Sequence, residues 1–341
     1  MRAVVLVGGF GSRLRPLTHH RPKQMLPIVN RPMIEHVVGH LVEHGVDDVV
    51  LSLGYQPDGF RDAYPDGRCA GATLHYAIEP EPLDTAGAIR FAARDAGIDE
   101  RFLVLNGDVL TDLDVTAFVA FHELRRAEGT ISLHRVDEPS RYGVVPTDDE
   151  GRVLAFVEKP PRGEAPTDLI NAGTYVLEPS VIDRIPEGRR ASVERETFPA
   201  MVADGSLYAL DDACYWIDTG TPREYIQAQL DLIDGIRGAP IEGVHPAAEV
   251  AGNASVKRSV VGAGAVVAAG ARVEAAVLLP GVQVCADAVI DESVVGEGAV
   301  VGEGAHVLRG SVVGDGEMVE PGSKLDGARF PGDRQGVRSR T

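Results

Sequence analysis

The fold is decided by the stretch LVGGFGSRLRPLTHHRPKQMLP, which occupies residues 6–27. It begins inside Ala3–Val7, a short unbroken apolar run that is typical of a strand buried on both faces of a sheet. Gly8, Gly9 and Gly11 then let the main chain turn sharply and present its N–H groups to a ligand. A strand followed by such a turn predicts an α/β fold, with this loop at the carboxyl edge of the sheet where ligands bind.

The same stretch is basic, although the chain as a whole is acidic. The 341 residues carry a formal net charge of −18, which argues against nucleic acid or an anionic membrane as a partner. From Met1 to Ile34 there is nevertheless no Asp or Glu, while the basic residues are Arg2, Arg13, Arg15, Arg21, Lys23 and Arg31. The turn matches neither the phosphate loop of the nucleoside triphosphatases nor the dinucleotide turn. Its glycines and cations still favour the binding of a small phosphorylated anion.

Apolar runs and amphipathic segments alternate through the first two-thirds of the chain. The spacing predicts helices over residues 32–44, 85–96 and 115–126, with Gly45 ending the first of them. Residues 49–53 and 102–105 are predicted to be strands. The alternation predicts a Rossmann-like, mostly parallel sheet sandwiched by helices.

A repeat begins near Ile241 and continues to about Asp326. Aliphatic residues recur at six-residue intervals, with some intervals of five, at Val250, Val256, Val261, Val267, Val273, Leu279, Val284, Ile290, Val295, Val301, Val307, Val313, Val319 and Leu325. Disordered segments are poor in aliphatics, so the pattern favours stacked short strands, and it resembles the left-handed β-helix of hexapeptide-repeat proteins. We therefore expect a first domain over 1–238, a left-handed parallel β-helix over 239–328 and a loose basic tail over 329–341.

Five short segments, taken in order, resemble the sugar-1-phosphate nucleotidylyltransferase family. Residues 8–23 match its G-G-x-G-x-R-L-x-P-L-T-x-x-x-P-K motif, and the others are Asn106-Gly107-Asp108, Glu158-Lys159-Pro160, Asn171-Ala172-Gly173 and Trp216-Ile217-Asp218-Thr219-Gly220-Thr221-Pro222. With the β-helix, the resemblance covers nearly all of the chain. It implies an enzyme that forms a nucleoside-diphosphate sugar and pyrophosphate from a nucleoside triphosphate and a sugar 1-phosphate.

The resemblance also implies roles for individual residues. The nucleotide would contact Leu6, Gly8, Gly9, Gly11, Ser12, Arg13, Lys23, Gln24, Asp84, Thr85 and Gly87. The sugar phosphate would contact Asn106, Gly107, Gly143, Glu158, Lys159, Asn171 and Gly173. Arg13, Lys23 and Lys159 would be catalytic through their charge, because an ionised phosphate monoester needs no general base.

A divalent cation is expected with these substrates. Asp108 follows the strand-like run FLVL, so its carboxylate should emerge at the ligand-binding edge. Asp218 comes from a distant segment, and two such carboxylates could hold one Mg²⁺ together with phosphate oxygens. The resemblance implies that both are metal ligands.

Within the family, four segments look most like the mannose-1-phosphate guanylyltransferase branch: EPLDTAG (81–87), YGVVPTD (142–148), SVERETFP (192–199) and WIDTGTP (216–222). Two residues depart from that branch. Gln24 follows the motif lysine where that branch commonly has proline, and glutamine there is usual in glucose-1-phosphate thymidylyltransferases; Asp84 replaces a usual glycine. GTP with mannose 1-phosphate is therefore the preferred pair, and thymidylyl or uridylyl transfer to glucose 1-phosphate is the alternative.

Two other functions fit parts of the sequence. A bifunctional enzyme would use the β-helix as an acyltransferase, although this region is short and His306 is its only clearly internal histidine. A non-catalytic paralogue would bind a sugar nucleotide, although none of the motif residues is missing. The flat faces and open ends of a β-helix favour a homo-oligomer. With no apolar run of about 18 residues and no signal-peptide pattern, we expect a cytoplasmic protein that does not enter a membrane.

Overall fold

The computed structural model describes residues 1–54 and 57–332, which separate into two compact units. The first consists of Met1–Gly9 and Ile34–Trp216, and the second of Phe10–Met33 and the chain from Ile217 onward. Each unit is therefore assembled from segments that are distant in sequence. None of the helices in the described ranges is long and apolar enough to cross a membrane.

The first unit is built on a mixed sheet whose centre is the strand Arg2–Leu6. This strand pairs in parallel with Asp48–Leu53 on one side and Phe102–Asn106 on the other. The full strand order is Val157–Glu158, Gly143–Val144, Leu169–Leu177, Phe102–Asn106, Arg2–Leu6, Asp48–Leu53, Ala72–Ile78 and Arg68–Cys69. Leu169–Leu177 is antiparallel to Phe102–Asn106 and also pairs with Gly129–Arg135, which continues in parallel to Leu207–Asp211. The predicted Rossmann-like α/β class is confirmed.

Helices cover this sheet where apolar spacing predicted them. The predicted helices over 32–44, 85–96 and 115–126 form as Met33–Glu43, Asp84–Asp95 and Val115–Arg125. Gly45 has a φ of 77°, the left-handed conformation that ends a helix. The shorter helices are Asp58–Ala63, Ser180–Arg184 and Phe198–Ala203, with a π-helical turn at Val193–Thr197 and a 3₁₀ turn at Pro139–Arg141. One buried cluster joins the sheet to these helices through residues such as Val104, Ile89 and Phe198.

The second unit contains a coil of short parallel strands on three faces, as the six-residue interval predicted. The first face consists of Glu249–Val250, Val266–Val267, Gln283–Val284, Val300–Val301 and Met318–Val319. The second consists of Ser255–Lys257, Arg272–Glu274, Val289–Asp291, His306–Leu308 and Lys324–Asp326. The third consists of Val260–Val261, Val277–Leu278, Val294–Val295, Val312–Val313 and Arg329–Phe330. The parallel β-helix is confirmed, and its left hand stays a prediction.

The coil corrects the sequence prediction at two places. Leu278, not Leu279, joins the buried aliphatic column, since Leu278 pairs with Val261 and Val295. The strand Arg329–Phe330 lies within the segment predicted as a loose tail, so the coil includes Phe330. The rest of that predicted tail, from residue 333 onward, lies outside the described residues.

The segment Phe10–Met33 is held in the second unit by the helix Pro222–Ile233. The Tyr225 hydroxyl donates to the carbonyl of Pro27 at 2.5 Å, and the Gln229 amide donates to the same carbonyl at 3.1 Å. The Val29 amide in turn donates to Gln229 Oε1 at 2.9 Å. Two 3₁₀ turns, Ser12–Leu14 and Lys23–Met25, and the short strands Pro27–Ile28 and Arg31–Pro32 complete this segment.

The inward and outward alternation of the coil can be tested at neighbouring residues. Val319 is 1% exposed and Met318 is 55% exposed. We expect Val319→Ser to lower the free energy of unfolding by about 2 kcal/mol, because it leaves a cavity and buries a hydroxyl. Met318→Ser should change it by less than about 0.5 kcal/mol. Equal losses in urea denaturation would contradict this orientation of the strand.

Candidate active site

The carboxyl edge of the first unit's sheet begins with the loop after Arg2–Leu6. Gly8 follows this strand, and a Cβ at that position would lie 3.5 Å from both Glu79 Oε1 and the Gly54 amide nitrogen. Glu79 is buried directly after the strand Ala72–Ile78. Its carboxylate accepts hydrogen bonds from the Leu83 amide at 2.9 Å and from the Ser52 hydroxyl at 3.2 Å. A carboxylate is thus fixed beside the predicted nucleotide loop.

The Asn106-Gly107-Asp108 turn packs against the end of the same central strand. The Gly107 amide donates to the carbonyl of Leu6 at 2.9 Å. A Cβ at Gly107 would lie 2.7 Å from Val7 Cγ1, so only glycine allows this approach. Asp108 follows at once and is half-buried. The two strands that carry the first and second predicted motifs therefore end side by side.

The Asn171-Ala172-Gly173 segment lies at an irregularity in its strand, where the register with Gly129–Arg135 shifts. Gly173 has a φ of 80°, and a Cβ there would lie 2.5 Å from Asn106 Nδ2. Asn171 Oδ1 accepts from the Gly173 amide at 3.0 Å, and Asn171 Nδ2 donates to the Tyr175 hydroxyl at 2.9 Å. The Asn171 side chain therefore shapes the bulge that lets Gly173 pass directly over Asn106.

An aromatic group lies next to this bulge. Trp216 Nε1 donates to the carbonyl of Ala172 at 2.8 Å. The Trp216 ring stacks on His134 at a centroid distance of 5.1 Å and meets Tyr142 edge-on at 5.7 Å. Burial lowers the pKa of His134, so its imidazole is neutral at pH 7. Flat aromatic faces beside an amide-rich bulge can bind a small polar ring such as a sugar.

The Glu158-Lys159 pair adjoins the aromatic group through Tyr142. The Lys159 amide donates to the Tyr142 carbonyl at 3.0 Å, and Gly143 is paired with Glu158 in the sheet. A Cβ at Gly143 would lie 2.7 Å from the Phe156 ring and 3.1 Å from Glu158 Oε2. Lys159 Nζ lies 3.0 Å from Glu158 Oε1, while the lysine side chain is 60% exposed. The exposed ammonium keeps donors for a bound anion.

The Asp84-Thr85-Gly87 segment begins a helix that is tied to the SVERETFP segment. Thr85 Oγ1 donates to Glu194 Oε2 at 2.7 Å and accepts from the Val193 amide at 2.9 Å. The Gly87 amide donates to the Ala191 carbonyl at 3.2 Å, and a Cβ at Gly87 would lie 2.8 Å from Leu83 Cβ. Thr85 and Gly87 thus hold the helix in place, and these two segments of the predicted branch are in direct contact.

In the second unit, Gly11 of the glycine-rich loop lies close to Thr18 and Lys23. Gly11 has a φ of 58°, and its Cβ would lie 2.9 Å from the Thr18 methyl and 3.2 Å from Lys23 Cβ. The Thr18 hydroxyl donates back to the Gly11 carbonyl at 2.8 Å. Lys23 is only 8% exposed. Gln24 is also buried, and its Oε1 has no hydrogen-bond partner among the residues that the structure describes.

Arg13 and Asp218 lie together in the second unit, and Ser12 is exposed beside Arg13. Arg13 Nη2 is 4.0 Å from Asp218 Oδ2, and Asp218 Oδ1 accepts from the Gly220 amide at 2.9 Å. A Cβ at Gly220 would collide with the Arg13 guanidinium. The turn that follows Asp218 therefore leaves room for the arginine of the predicted motif.

These carboxylates fit a magnesium ion in their chemistry. Mg²⁺ prefers oxygen ligands and keeps several waters, with one or two carboxylates supplied by the protein. Asp108 and Asp218 are both half-buried and offer such oxygens. Within residues 1–54 and 57–332, there is no group of three or more His, Cys, Asp or Glu side chains suited to a metal. Substrate oxygens and water would have to complete the coordination.

The structure thus brings most predicted residues of the first unit to one sheet edge: Leu6, Gly8, Asn106, Gly107, Asp108, Gly143, Glu158, Lys159, Asn171 and Gly173. It groups Gly11, Arg13, Lys23 and Asp218 into the second unit. Sequence reasoning missed Glu79, His134 and Tyr175. Glu79 could have been predicted, because it follows a strand directly. His134 and Tyr175 could not, because their relevance rests on their contacts with Trp216 and Asn171.

Comparison with known proteins shows similarity over both parts of the chain. The family model described as Nucleotidyl transferase matches residues 2–235, and the one described as GMPPB C-terminal domain matches residues 240–330. Mannose-1-phosphate guanylyltransferase of Mycobacterium tuberculosis is 44% identical over 290 residues, which covers 82% of this chain and 80% of that protein. The probable mannose-1-phosphate guanylyltransferase 1 of Oryza sativa subsp. japonica is 41% identical over 273 residues, covering 78% and 74% respectively.

Solved structures with a similar fold cover two-thirds of the chain. HddC from Yersinia pseudotuberculosis superimposes with a TM-score of 0.59 at 32% identity, covering 67% of this chain and 97% of HddC. A putative glucose-1-phosphate thymidylyltransferase from Bacillus anthracis gives a TM-score of 0.61 at 24% identity, covering 67% and 94%. The second likeness concerns the fold alone.

Asp84, at the start of the helix Asp84–Asp95, offers a test of backbone strain. It has a φ of 62°, a conformation that favours glycine, and its carboxylate accepts from the Thr85 amide at 2.9 Å. We expect Asp84→Gly to raise the free energy of unfolding by about 0.5 kcal/mol, because relief of strain outweighs the lost hydrogen bond. Asp84→Ala should lower it, since the strain stays. Denaturant midpoints measure both, and equal losses would contradict the conformation.

Proposed function

We propose that this chain, which belongs to the nucleotidyl transferase family, forms GDP-mannose and pyrophosphate from GTP and mannose 1-phosphate. The observation that carries the proposal is the meeting of three motif segments, 106–108, 158–159 and 171–173, at the sheet edge beside Gly8. The names of the relatives at 41% and 44% identity supply the substrate pair. We assign this reaction to a module over residues 1–238, followed by the β-helix, which was predicted over 239–328 and continues to Phe330.

The chain's contribution to the reaction is mainly positioning and charge. An oxygen of the sugar phosphate attacks the α-phosphorus of the nucleotide as the bond to pyrophosphate breaks. That phosphate is ionised at neutral pH, so no side chain has to remove a proton. The backbone of Gly8, Gly9 and Gly11 would approach the triphosphate closely, and Arg13 and Lys23 would balance its charge. Burial of Lys23 strengthens its interaction with an anion by excluding water.

Mg²⁺ is the proposed cofactor, with Asp108 and Asp218 as its protein ligands. When bound, it would neutralise charge on the triphosphate oxygens. Arg13 Nη2 lies 4.0 Å from Asp218 Oδ2 and would help to orient that carboxylate. Gly220 contributes by holding Asp218 Oδ1 through its amide.

The sugar phosphate is proposed to lie over the bulge at Gly173. Lys159 would contact the phosphate with the donors left beside its pair with Glu158. Gly143 and Gly173 let Phe156 and Asn106 pack closely beside this subsite, since a Cβ at either glycine would collide with them. Because Asn171 already serves Gly173 and Tyr175, its remaining amide proton and lone pair are what a sugar hydroxyl could use.

Two residues are proposed to read the base. Guanine presents adjacent N–H donors on its Watson–Crick edge, and a carboxylate offers only acceptors at neutral pH. Glu79, fixed by the Leu83 amide beside Gly8, fits such an edge. Gln24 Oε1 is a buried acceptor in need of a donor. The same glutamine keeps thymidylyl or uridylyl transfer open as the alternative specificity.

We further propose that the protein is cytoplasmic and forms a homo-oligomer.

A substrate panel tests the proposal. Purified chain with Mg²⁺ is offered each of four nucleoside triphosphates against mannose, glucose and glucosamine 1-phosphates, and pyrophosphate release is measured. GTP with mannose 1-phosphate should give the highest kcat/KM, and Asp108→Asn should reduce it at least about a hundred-fold. Asp99→Asn, at an exposed position, is the control.

Two results of this panel would contradict the proposal. Silence across the panel would remove the enzymatic function, and a preference for TTP or UTP with glucose 1-phosphate would replace the substrate pair. An Asp108→Asn variant with full metal-dependent turnover would refute the role of Asp108.

The role of Glu79 is tested by Glu79→Gln. The amide places an N–H group opposite the donors of guanine, so we expect kcat/KM for GTP to fall about ten-fold or more. Discrimination against the other nucleotides should narrow. The exposed neighbour variant Glu81→Gln is the matched control and should keep wild-type kinetics. Unchanged nucleotide preference in a folded Glu79→Gln variant would exclude this residue from base recognition.

A further inference from the structure

Arg21 lies within the glycine-rich stretch but is bound by the β-helix. Its Nη2 is 2.5 Å from Glu297 Oε2 and 3.0 Å from Asp315 Oδ2. These two carboxylates lie on successive turns of the coil, and the Glu297 amide donates to Asp315 Oδ1 at 2.8 Å. One guanidinium is therefore shared by the carboxylates of Glu297 and Asp315, which lie at stacked corners of two turns. We call this pair of carboxylates the acidic corner.

A second contact lies beside the acidic corner. A Cβ at Gly314 would lie 3.1 Å from Pro16 Cγ and 3.2 Å from Pro16 Cβ, so the proline rests directly against the coil backbone. Between Pro16 and Arg21 in the sequence, Leu17 and Thr18 are buried, whereas His19 and His20 are exposed. The stretch is thus attached to the coil at two points.

The attached segment continues into the groups that would bind the nucleotide. Thr18 contacts Gly11 through its hydroxyl and its methyl group. A Cβ at Gly11 would in turn lie only 3.2 Å from Lys23 Cβ, so the loop passes close to the lysine, which is two residues beyond Arg21. A change in the position of Arg21 would therefore be transmitted to the glycine loop on one side and to the buried lysine on the other.

We propose that the acidic corner of the β-helix, acting through Arg21, fixes the nucleotide-binding conformation of residues 11–23, so that the coil is a positioning part of the active site. The inference rests on the proposed function, because it assigns a role in nucleotide binding to this stretch. Arg21, Glu297 and Asp315 are positioning residues, since they act through Lys23 and Gly11.

The charges explain why the position of Arg21 depends on Glu297 and Asp315. Burial alone would lower the pKa of Arg21, but Glu297 and Asp315 together raise it, so the guanidinium stays charged. The Arg21 side chain is 24% exposed. A half-buried cation that loses both carboxylates is unfavourable where it stands and gains by moving into water. The stretch between Gly11 and Lys23 would move with it.

Kinetics of a variant pair test the proposal. In Glu297→Gln/Asp315→Asn, we expect KM for GTP to rise about five-fold and kcat/KM to fall about ten-fold. KM for mannose 1-phosphate should change less, which a general loss of folded protein would not produce. Arg21→Lys, which keeps a cation, should retain more activity than Arg21→Gln. Asp326→Asn, which removes the Arg309–Asp326 ion pair elsewhere on the coil, is the control and should keep wild-type kinetics.

Amide hydrogen exchange without substrate separates this inference from the proposed function. Peptides covering residues 10–33 should exchange faster in the double variant than in the wild type or in Asp326→Asn, even if the wild type turns over no substrate of the panel. If the double variant unfolds, Arg21→Gln against Arg21→Lys provides the same comparison. Wild-type KM for GTP together with wild-type exchange would overturn the proposal. So would an equal effect of Asp326→Asn.

Discussion

The first unit depends on one close approach at the carboxyl end of its central strand. Gly107 donates its amide to the Leu6 carbonyl at 2.9 Å, and a Cβ there would lie 2.7 Å from Val7 Cγ1. Because Gly107 has no side chain, the ends of the strands Arg2–Leu6 and Phe102–Asn106 lie close together. Asp108, the next residue, therefore lies beside the loop that begins at Gly8. Asn106 in turn lies close enough to Gly173 for a Cβ there to collide with it. The first-unit residues Gly8, Asp108 and Gly173 are neighbours along this edge for that reason.

The second unit provides a different kind of support. Its coil repeats every 17 residues, as in Val256–Val273 and Val273–Ile290, and every 18 in Val307–Leu325. Regular stacking fixes the corners of successive turns, which is how Glu297 and Asp315 come to share Arg21. The glycine-rich stretch is therefore fastened by the helix Pro222–Ile233 at Pro27 and by the coil at Arg21. A flexible, glycine-containing loop gains a defined shape from these two rigid elements.

Much of the fold could be predicted because its signals are local. The apolar runs and the helical spacing placed the predicted strands and helices of the first unit to within one residue, whereas strands such as Gly129–Arg135 and Leu169–Leu177 were not predicted. Leu278 and Leu279 could not be told apart, since both are aliphatic and both are buried. The five-residue interval from Val273 to Leu278 depends on the geometry of a corner of the coil. The aliphatic pattern alone does not show which corner is shorter by one residue. The outer strand Arg329–Phe330 was missed because Phe330 ends the aliphatic pattern.

The motif residues of the candidate site could be predicted from the sequence, but the side chains that hydrogen-bond to them could not. Glycines, carboxylates and lysines at motif positions indicate chemistry by residue type. The hydrogen bonds of Thr85 to Glu194 and of Asn171 to Tyr175 depend on which side chains the fold brings together. The left-handed backbone of Asp84 and the hydrogen bond from the Thr85 amide to its carboxylate could not be predicted, because both depend on the position of Asp84 at the start of a helix.

The central claim is that the motif segments form one sugar-nucleotide site, and hydrogen exchange with bound product tests it most directly. Saturating GDP-mannose with Mg²⁺ should slow exchange in peptides covering residues 6–11, 106–109, 142–144 and 171–174 together, while the outer strands 255–257 and 324–326 stay unchanged. Protection confined to the β-helix, or to only one of these segments, would contradict a shared site.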